Sequence, residues 1–98
     1  MGIKLFNVTP KFPPGQVVAT PSALDVLTKS GQSPADFLSR HVRGDWGEVG
    51  EDDKQLNDEA LVNGERLLSA YRTLHDVRIW IITEADRSST CVLLPEEY

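Results

Sequence analysis

The sequence predicts an α+β fold in which two or three helices are packed on a C-terminal antiparallel three-stranded β-meander. Apolar residues recur at helical spacing as far as Gly64, and beyond it they alternate with a period of two. Short polar links divide the second half into three segments of this kind. Because the helices precede the strands instead of alternating with them, an α+β fold is favoured over βαβ units.

Length and composition predict one domain. The 98 residues, 40% of them hydrophobic and 26% charged, suffice for one core. The breakers Pro13-Pro14-Gly15 divide an N-terminal arm, residues 1–15, from a single domain of residues 16–98. The only cysteine, Cys91, cannot form an internal disulfide or a cysteine-based zinc site. We find no signal peptide or membrane span, and we expect a cytoplasmic protein with no membrane partner.

Capping residues mark the first two helices. Thr20 precedes Pro21, which predicts a helix because a hydroxyl can cap free N–H groups and proline suits the first helical position. Ser33 and Pro34 repeat the signal, and Asp36 stands at the capping-box position. The apolar faces are predicted to contain Ala23, Leu24 and Leu27 in the first helix, and Phe37, Leu38, His41 and Val42 in the second.

A third helix is predicted from about Asp52 to Asn63, between the glycines at 44 to 50 and Gly64. Its acidic first turn suits the helix dipole. Leu56, Ala60 and Leu61 are expected to form its apolar face. In the turn before it, Trp46 lies between two glycines and is expected to fold back as a lid on the core.

Three strands are predicted after Gly64. "VRIWIITE" is β-branched and is the clearest, "TCVLLP" ends at Pro95, and "RLLSAYRT" alternates. "RLLSAYRTL" could instead continue as helix, so residues 66–73 stay open between strand and helix. Residues 16–20 form a short β-branched run that could add an edge strand.

Negative charge is concentrated in one third of the chain. Residues 44–65 contain eight acids and one base, a net charge of −7, whereas the rest of the chain has a net charge of +2. This segment would repel phosphate backbones, so no direct nucleic-acid binding is expected. It suits a basic partner protein, or it is simply a solvated surface.

Four stretches carry a resemblance to a known family. "GQSPADFLSRHVRGDWGEV", "LLSAYRT", "IWIITEADRSST" and "VLLPEEY" occur in this order, and they resemble a family of small bacterial proteins found on plasmids and integrated mobile elements. Members have no established role and are sometimes labelled as a type I restriction subunit. The resemblance covers residues 16–98 and implies no catalytic residue or cofactor. The restriction label disagrees with this chain, which has no methyltransferase glycine motif and is too short for a cofactor-binding sheet.

His41 and Asp45 are the first candidate site. Four residues apart, they could share a helix face, and the carboxylate would then orient the imidazole as a general base. The structural alternative places a cationic His41 at the C-terminus of the second helix, where it suits the dipole.

The loop "TEADRSST" is the second candidate, because it holds Glu84, Asp86, Arg87 and several hydroxyls. Arg87 beside two carboxylates could bind an anion, contact a partner or pair locally, and Asp86 and Ser88 are also ordinary turn residues.

No metal site and no cofactor are expected. A metal would require His41, Asp45, His75 and Glu84 to converge, and none of them shows ligand spacing. Ser88 and Ser89 lack a nucleophile elbow. Trp46 and Trp80 could form a partner-facing aromatic surface, although core packing is the simpler interpretation.

Two main functions follow from these features. The first is a small acidic interaction or accessory protein, encoded on mobile DNA, that binds a host or plasmid protein through Asp45, Trp46, Glu84, Asp86 and Arg87. The alternative is a small hydrolase or nuclease-like enzyme that uses His41 with Asp45, Glu84 or Asp86. A further alternative is an acidic mimic of DNA whose carboxylates, between residues 45 and 59, form a regular exposed row.

Overall fold

Three helices and a four-stranded sheet make up residues 10–98, the part of the chain that the structure, a computed structural model, describes. The elements in chain order are β1 (Gln16–Ala19), α1 (Pro21–Lys29), α2 (Pro34–Val42), α3 (Glu51–Asn63), β2 (Leu67–Arg72), β3 (Arg78–Thr83), β4 (Ser89–Leu93) and a 3-10 turn (Pro95–Glu97). The α+β class is therefore confirmed. Within residues 10–98, no helix is long and apolar enough to cross a membrane.

The sheet is mixed, with the strand order β1-β4-β3-β2. β2, β3 and β4 are antiparallel neighbours, and β1 pairs with β4 in parallel. The prediction of a purely antiparallel three-stranded meander was therefore wrong, although the meander forms part of the sheet and residues 16–19 add the edge strand. Residues 67–72 are strand, which settles the choice left open there. The parallel pair was missed because three helices separate its strands, so no turn residue signals it.

The predicted capping residues act as expected at two helix starts. The Thr20 hydroxyl accepts a hydrogen bond from the Ala23 N–H at 3.1 Å, with Pro21 as the first residue of α1. The Asp36 carboxylate accepts the Ser33 N–H at 2.9 Å at the start of α2. Gly64 ends α3 in the left-handed conformation, and its N–H donates to the Ala60 carbonyl at 2.9 Å.

Side chains on one face of the sheet form two buried clusters. The first lies under α1 and α2 and contains Ala23, Leu27, Phe37, Leu38, Tyr71, Ile79, Ile81, Val92 and Leu94. The second contains Phe12, Val42, Trp46, Ala60 and Leu67. Because Phe12 is buried, the folded unit begins before the boundary predicted at residue 16. The rest of the predicted arm, residues 1–9, lies outside the described residues.

α3 presents a different face to the core from the one predicted. Leu56 is exposed, whereas Asn57 is buried and pairs with both backbone groups of Leu68: its Nδ2 donates to the Leu68 carbonyl at 2.8 Å, and its Oδ1 accepts the Leu68 N–H at 3.2 Å. β2 is an edge strand, so its outward backbone groups need partners once α3 covers them. This requirement turns Asn57 inward and Leu56 outward. In α1, Leu24 is likewise exposed instead of sharing the buried face.

Candidate functional site

His41 lies at the centre of a buried hydrogen-bond chain. Its ring is completely buried, with Nδ1 2.6 Å from the Ser69 hydroxyl and Nε2 2.8 Å from the Thr83 hydroxyl. Thr83 lies 2.7 Å from the Thr90 hydroxyl, which donates to the Pro14 carbonyl at 2.7 Å. His41 comes from α2, Ser69 from β2, Thr83 from β3 and Thr90 from β4, where the register aligns Thr83 with Thr90, so one helix and three strands place these groups together.

The chain of hydroxyls determines which ring nitrogen of His41 carries the proton. The Thr90 hydroxyl donates its only hydrogen to the Pro14 carbonyl. In the contact between the two threonines, Thr83 must therefore be the donor and Thr90 the acceptor. The Thr83 oxygen then accepts from Nε2–H of His41, and the Ser69 hydroxyl donates to Nδ1. His41 is therefore a neutral imidazole protonated at Nε2. Burial, with a smaller contribution from the positive charge of Arg87, lowers the pKa of His41 to about 3.

Asp45 does not hydrogen-bond to His41, so the predicted His41–Asp45 pair does not form. Its carboxylate instead accepts Arg40 Nε at 2.8 Å and the Gly47 N–H at 3.2 Å. The hydrogen bond with Arg40 holds the pKa of Asp45 below its usual range. The alternative of a cationic His41 at a helix end is also wrong, because the ring is buried among neutral hydroxyls. Through these hydrogen bonds, Asp45 stabilises the turn that follows α2.

Trp46 is buried, as predicted for a lid on the core, and it is therefore not available to a partner. Its ring stacks on Phe12 with centroids 6.4 Å apart and meets the His41 ring edge-on at 5.7 Å. Its Nε1–H donates to the Asp58 carboxylate of α3 at 3.0 Å. Trp46 thus joins the turn to α3.

Arg87 donates hydrogen bonds to four backbone carbonyls. Its NH1 donates to the Glu65 carbonyl at 2.6 Å and its NH2 to the Ala60 carbonyl at 3.1 Å. The Ala60 carbonyl belongs to the last turn of α3, where it also accepts the N–H groups of Gly64 at 2.9 Å and Glu65 at 3.0 Å. The guanidinium also donates to the carbonyls of Glu84 and Ala85 within its own loop. Arg87 therefore fastens the β3–β4 loop to the C-terminal end of α3.

We expect Arg87→Lys to lower the free energy of unfolding by about 2 kcal/mol, because an ammonium cannot reproduce the branched set of N–H donors. Chemical denaturation measures the loss. The matched control is Arg43→Lys, whose guanidinium lies 3.8 Å from the Asp45 carboxylate at the surface. This control should change stability by less than about 0.5 kcal/mol. Equal effects of the two substitutions would contradict the assigned role of Arg87.

The remaining predicted binding residues, Glu84 and Asp86, are exposed in the β3–β4 loop. A shallow surface depression there is lined by Glu84, Ala85, Asp86 and Ser88. Two hydrogen bonds from Ser88 hold the pKa of Asp86 below its usual range. Arg87 places this loop beside Glu65, so the loop continues the acidic surface of α3.

α3 exposes two hydrophobic side chains among acids. Leu56 is 60% exposed and Val62 is 85% exposed. Asp52 and Glu59, which are also exposed, lie between them around the helix at 100° per residue. Sequence reasoning missed this surface because it assigned Leu56 to the core. A signal was present in Asn57, whose amide is well suited to a strand edge.

The inward-facing hydroxyls of Ser69, Thr83 and Thr90 were also missed. The signal was their position, since each occupies an inward place in an alternating strand that would otherwise be apolar. Within residues 10–98, no group of three or more His, Cys, Asp or Glu side chains could hold a metal ion. The chain matches no family model, no curated protein and no solved structure.

Proposed function

We propose that this chain is a small interaction protein that binds a basic partner protein through its α3 surface, defined as Asp52, Leu56, Glu59 and Val62. Glu65, Glu84 and Asp86 extend this surface at the C-terminal end of the helix. The observation that carries the proposal is the exposure of Leu56 and Val62 in a helix whose other exposed positions are mostly acidic.

Charge supports a basic partner. The segment that contains α3 has a net charge of −7, and its only base is Lys54. Lys54 contacts Glu51, with Nζ 3.4 Å from Oε1, and leaves the other acids of the helix without an ion pair within residues 10–98. A surface of this kind attracts a basic protein and speeds its association at low ionic strength.

The hydrophobic pair supports a protein contact over a merely solvated surface. α3 meets the rest of the molecule through Asn57, Asp58, Ala60 and Leu61, so the fold does not require hydrophobic residues on its outer side. Apolar side chains within a polar rim are the usual core of a protein interface. An acidic solvated helix would not need them.

The enzyme alternative has less support. The proposed base His41 has both ring nitrogens engaged by hydroxyls and no exposed surface. Arg87, the proposed anion-binding group, is engaged by carbonyls. The DNA-mimic alternative uses the same acids as the interaction proposal, and it differs in requiring a partner that also binds DNA. A host or plasmid protein is the partner that the resemblance to plasmid-encoded proteins favours.

The test is capture of a partner by immobilised protein, with the double variant Leu56→Ser/Val62→Ser. Losing two apolar contacts of about 1–2 kcal/mol each should weaken binding of a basic protein roughly 30- to 1000-fold. The control is Leu74→Ser, since Leu74 is 77% exposed but lies in the β2–β3 turn. Titration calorimetry with the captured protein gives the affinities, and competition with duplex DNA identifies a DNA mimic. Equal binding by both variants, or binding that is insensitive to salt, would disprove the proposal.

A further inference from the structure

Among residues 10–98, β1 is an edge strand of the sheet, and its outer backbone groups have no strand partner. The N–H of Gln16 donates to Ser88 and that of Thr20 to Val92, each at 3.0 Å, so the even-numbered residues face β4. The backbone groups of Val17 and Ala19 consequently face outward. Within residues 10–98, no other strand lies beside β1.

The two edge strands of the sheet differ in whether their outward backbone groups have hydrogen-bond partners. The outer edge of β2 is covered: Asn57 pairs with Leu68, and Ala70 exchanges backbone hydrogen bonds with Trp46 and Glu48. β1 has no such cover from the described residues and carries no charged residue or proline of the kind that protects edges. Val17 is 43% exposed and Val18 is 44% exposed.

We propose that β1 pairs in antiparallel orientation with β1 of a second copy of this chain, about a two-fold axis at Val18. In this register Val17 of each copy faces Ala19 of the other, and the outward N–H and C=O groups of both residues are satisfied reciprocally. The two Val18 side chains meet at the axis and cover each other. The two sheets then form one continuous sheet.

The distribution of charge is compatible with this pairing of identical chains. Each copy has a net charge of −5, which opposes association in general. The acidic segment, however, lies against β2 at the far edge of the sheet, since Asn57 of α3 contacts Leu68. The three strand spacings from β1 to β2 are roughly 14 Å, beyond the Debye length of about 8 Å at physiological salt. The chain outside residues 44–65, which includes β1, has a net charge of +2. The acids Glu84 and Asp86 lie in the loop whose Ser88 carbonyl accepts the Gln16 N–H, at the start of β1 and not at its centre.

The distance between the two copies of Cys91, the only cysteine in the sequence, reports the register of the proposed strand pair. Cys91 on β4 is aligned with Val18 on β1. With the axis at Val18, the two Cys91 Cα atoms face each other across three strand spacings, roughly 14 Å apart. A shift of the axis by one residue pair would lengthen this distance, because the cysteines would no longer be opposite each other. A nitroxide attached to Cys91 should therefore show strong dipolar broadening, which should disappear on dilution with unlabelled protein.

Sedimentation of the unlabelled protein gives an independent readout, and two variants test the contact. Val17→Pro removes an outward N–H, and Val18→Lys places two ammonium groups at the axis. Each should shift a dimer to monomer with at least a tenfold loss of affinity and an unchanged circular dichroism spectrum. Leu74→Lys, at an exposed site in the β2–β3 turn, should leave the dimer intact. The proposal is overturned by a monomer at about 0.5 mM, by a dimer insensitive to both variants, or by slow amide exchange of Val17 and Ala19 in a monomer.

Discussion

Lowering the pH from 7 to 5 is expected to reduce the free energy of unfolding by about 2 kcal/mol through His41 alone. Burial lowers the pKa of His41 from 6.5 to about 3 in the folded protein. Between pH 6.5 and pH 3, His41 is protonated in the unfolded chain but neutral in the folded protein. The free energy of unfolding therefore falls as the pH falls. The slope approaches about 1.4 kcal/mol per pH unit below pH 6.5 and ends near pH 3.

Denaturant unfolding of the wild type and of His41→Gln, at several pH values from 5 to 7, measures this effect. Glutamine keeps one donor and one acceptor for Thr83 and Ser69 but has no titrating group. The free energy of unfolding of this variant should therefore not fall between pH 7 and pH 5, even if the variant is less stable than the wild type. His75→Gln, at an exposed site, should retain the slope. The pKa values of Asp45, Asp86 and Glu97 are lowered by their hydrogen bonds, so these carboxylates stay ionised in this range. A slope that survives in His41→Gln would mean that the histidine is not the titrating group.

Much of the fold could be predicted from the sequence because its signals are local. Thr20 with Pro21 marks α1, Ser33 with Asp36 marks α2, and Gly64 marks the end of α3. The β-branched run at residues 77–83 contains β3. The parallel pairing of β1 with β4 could not be predicted in this way, since it depends on how three intervening helices return the chain to the same sheet.

The candidate site was harder to predict because the residues with the most versatile chemistry satisfy buried polar groups. His41 bridges two hydroxyls, Asp45 holds Arg40, and Arg87 holds the end of α3. From the sequence, such side chains look like catalytic or binding groups, because burial and hydrogen-bond partners are tertiary properties. Leu56 gave the opposite error: an apolar residue at helical spacing was assigned to the core, but the pairing of Asn57 with β2 turned it to the surface. The α3 surface is therefore the feature that the fold itself does not explain.

Gly47→Ala is expected to destabilise the protein by at least about 3 kcal/mol, because a Cβ there has no space and the backbone is left-handed. Gly47 has φ of 76°, and its added Cβ would overlap the Ala70 carbonyl oxygen and lie 2.6 Å from Cδ1 of Tyr71. The turn cannot move away freely. The Glu48 N–H donates to the Ala70 carbonyl at 2.6 Å, and the Tyr71 hydroxyl donates to the Asp45 carbonyl at 2.5 Å.

Gly31→Ala is the matched control, since it separates backbone strain from steric overlap. Gly31 has φ of 72°, close to that of Gly47, but its added Cβ would meet no atom within 4 Å. We expect Gly31→Ala to lower the free energy of unfolding by about 1 kcal/mol, because only the left-handed conformation opposes the added Cβ. Denaturant unfolding of both variants at pH 7 gives the difference, which reports how closely the turn carrying Trp46 is held against β2. If the two variants lost the same free energy, the close contact between Gly47 and the β2 edge would be refuted, and with it the covered edge that distinguishes β2 from β1.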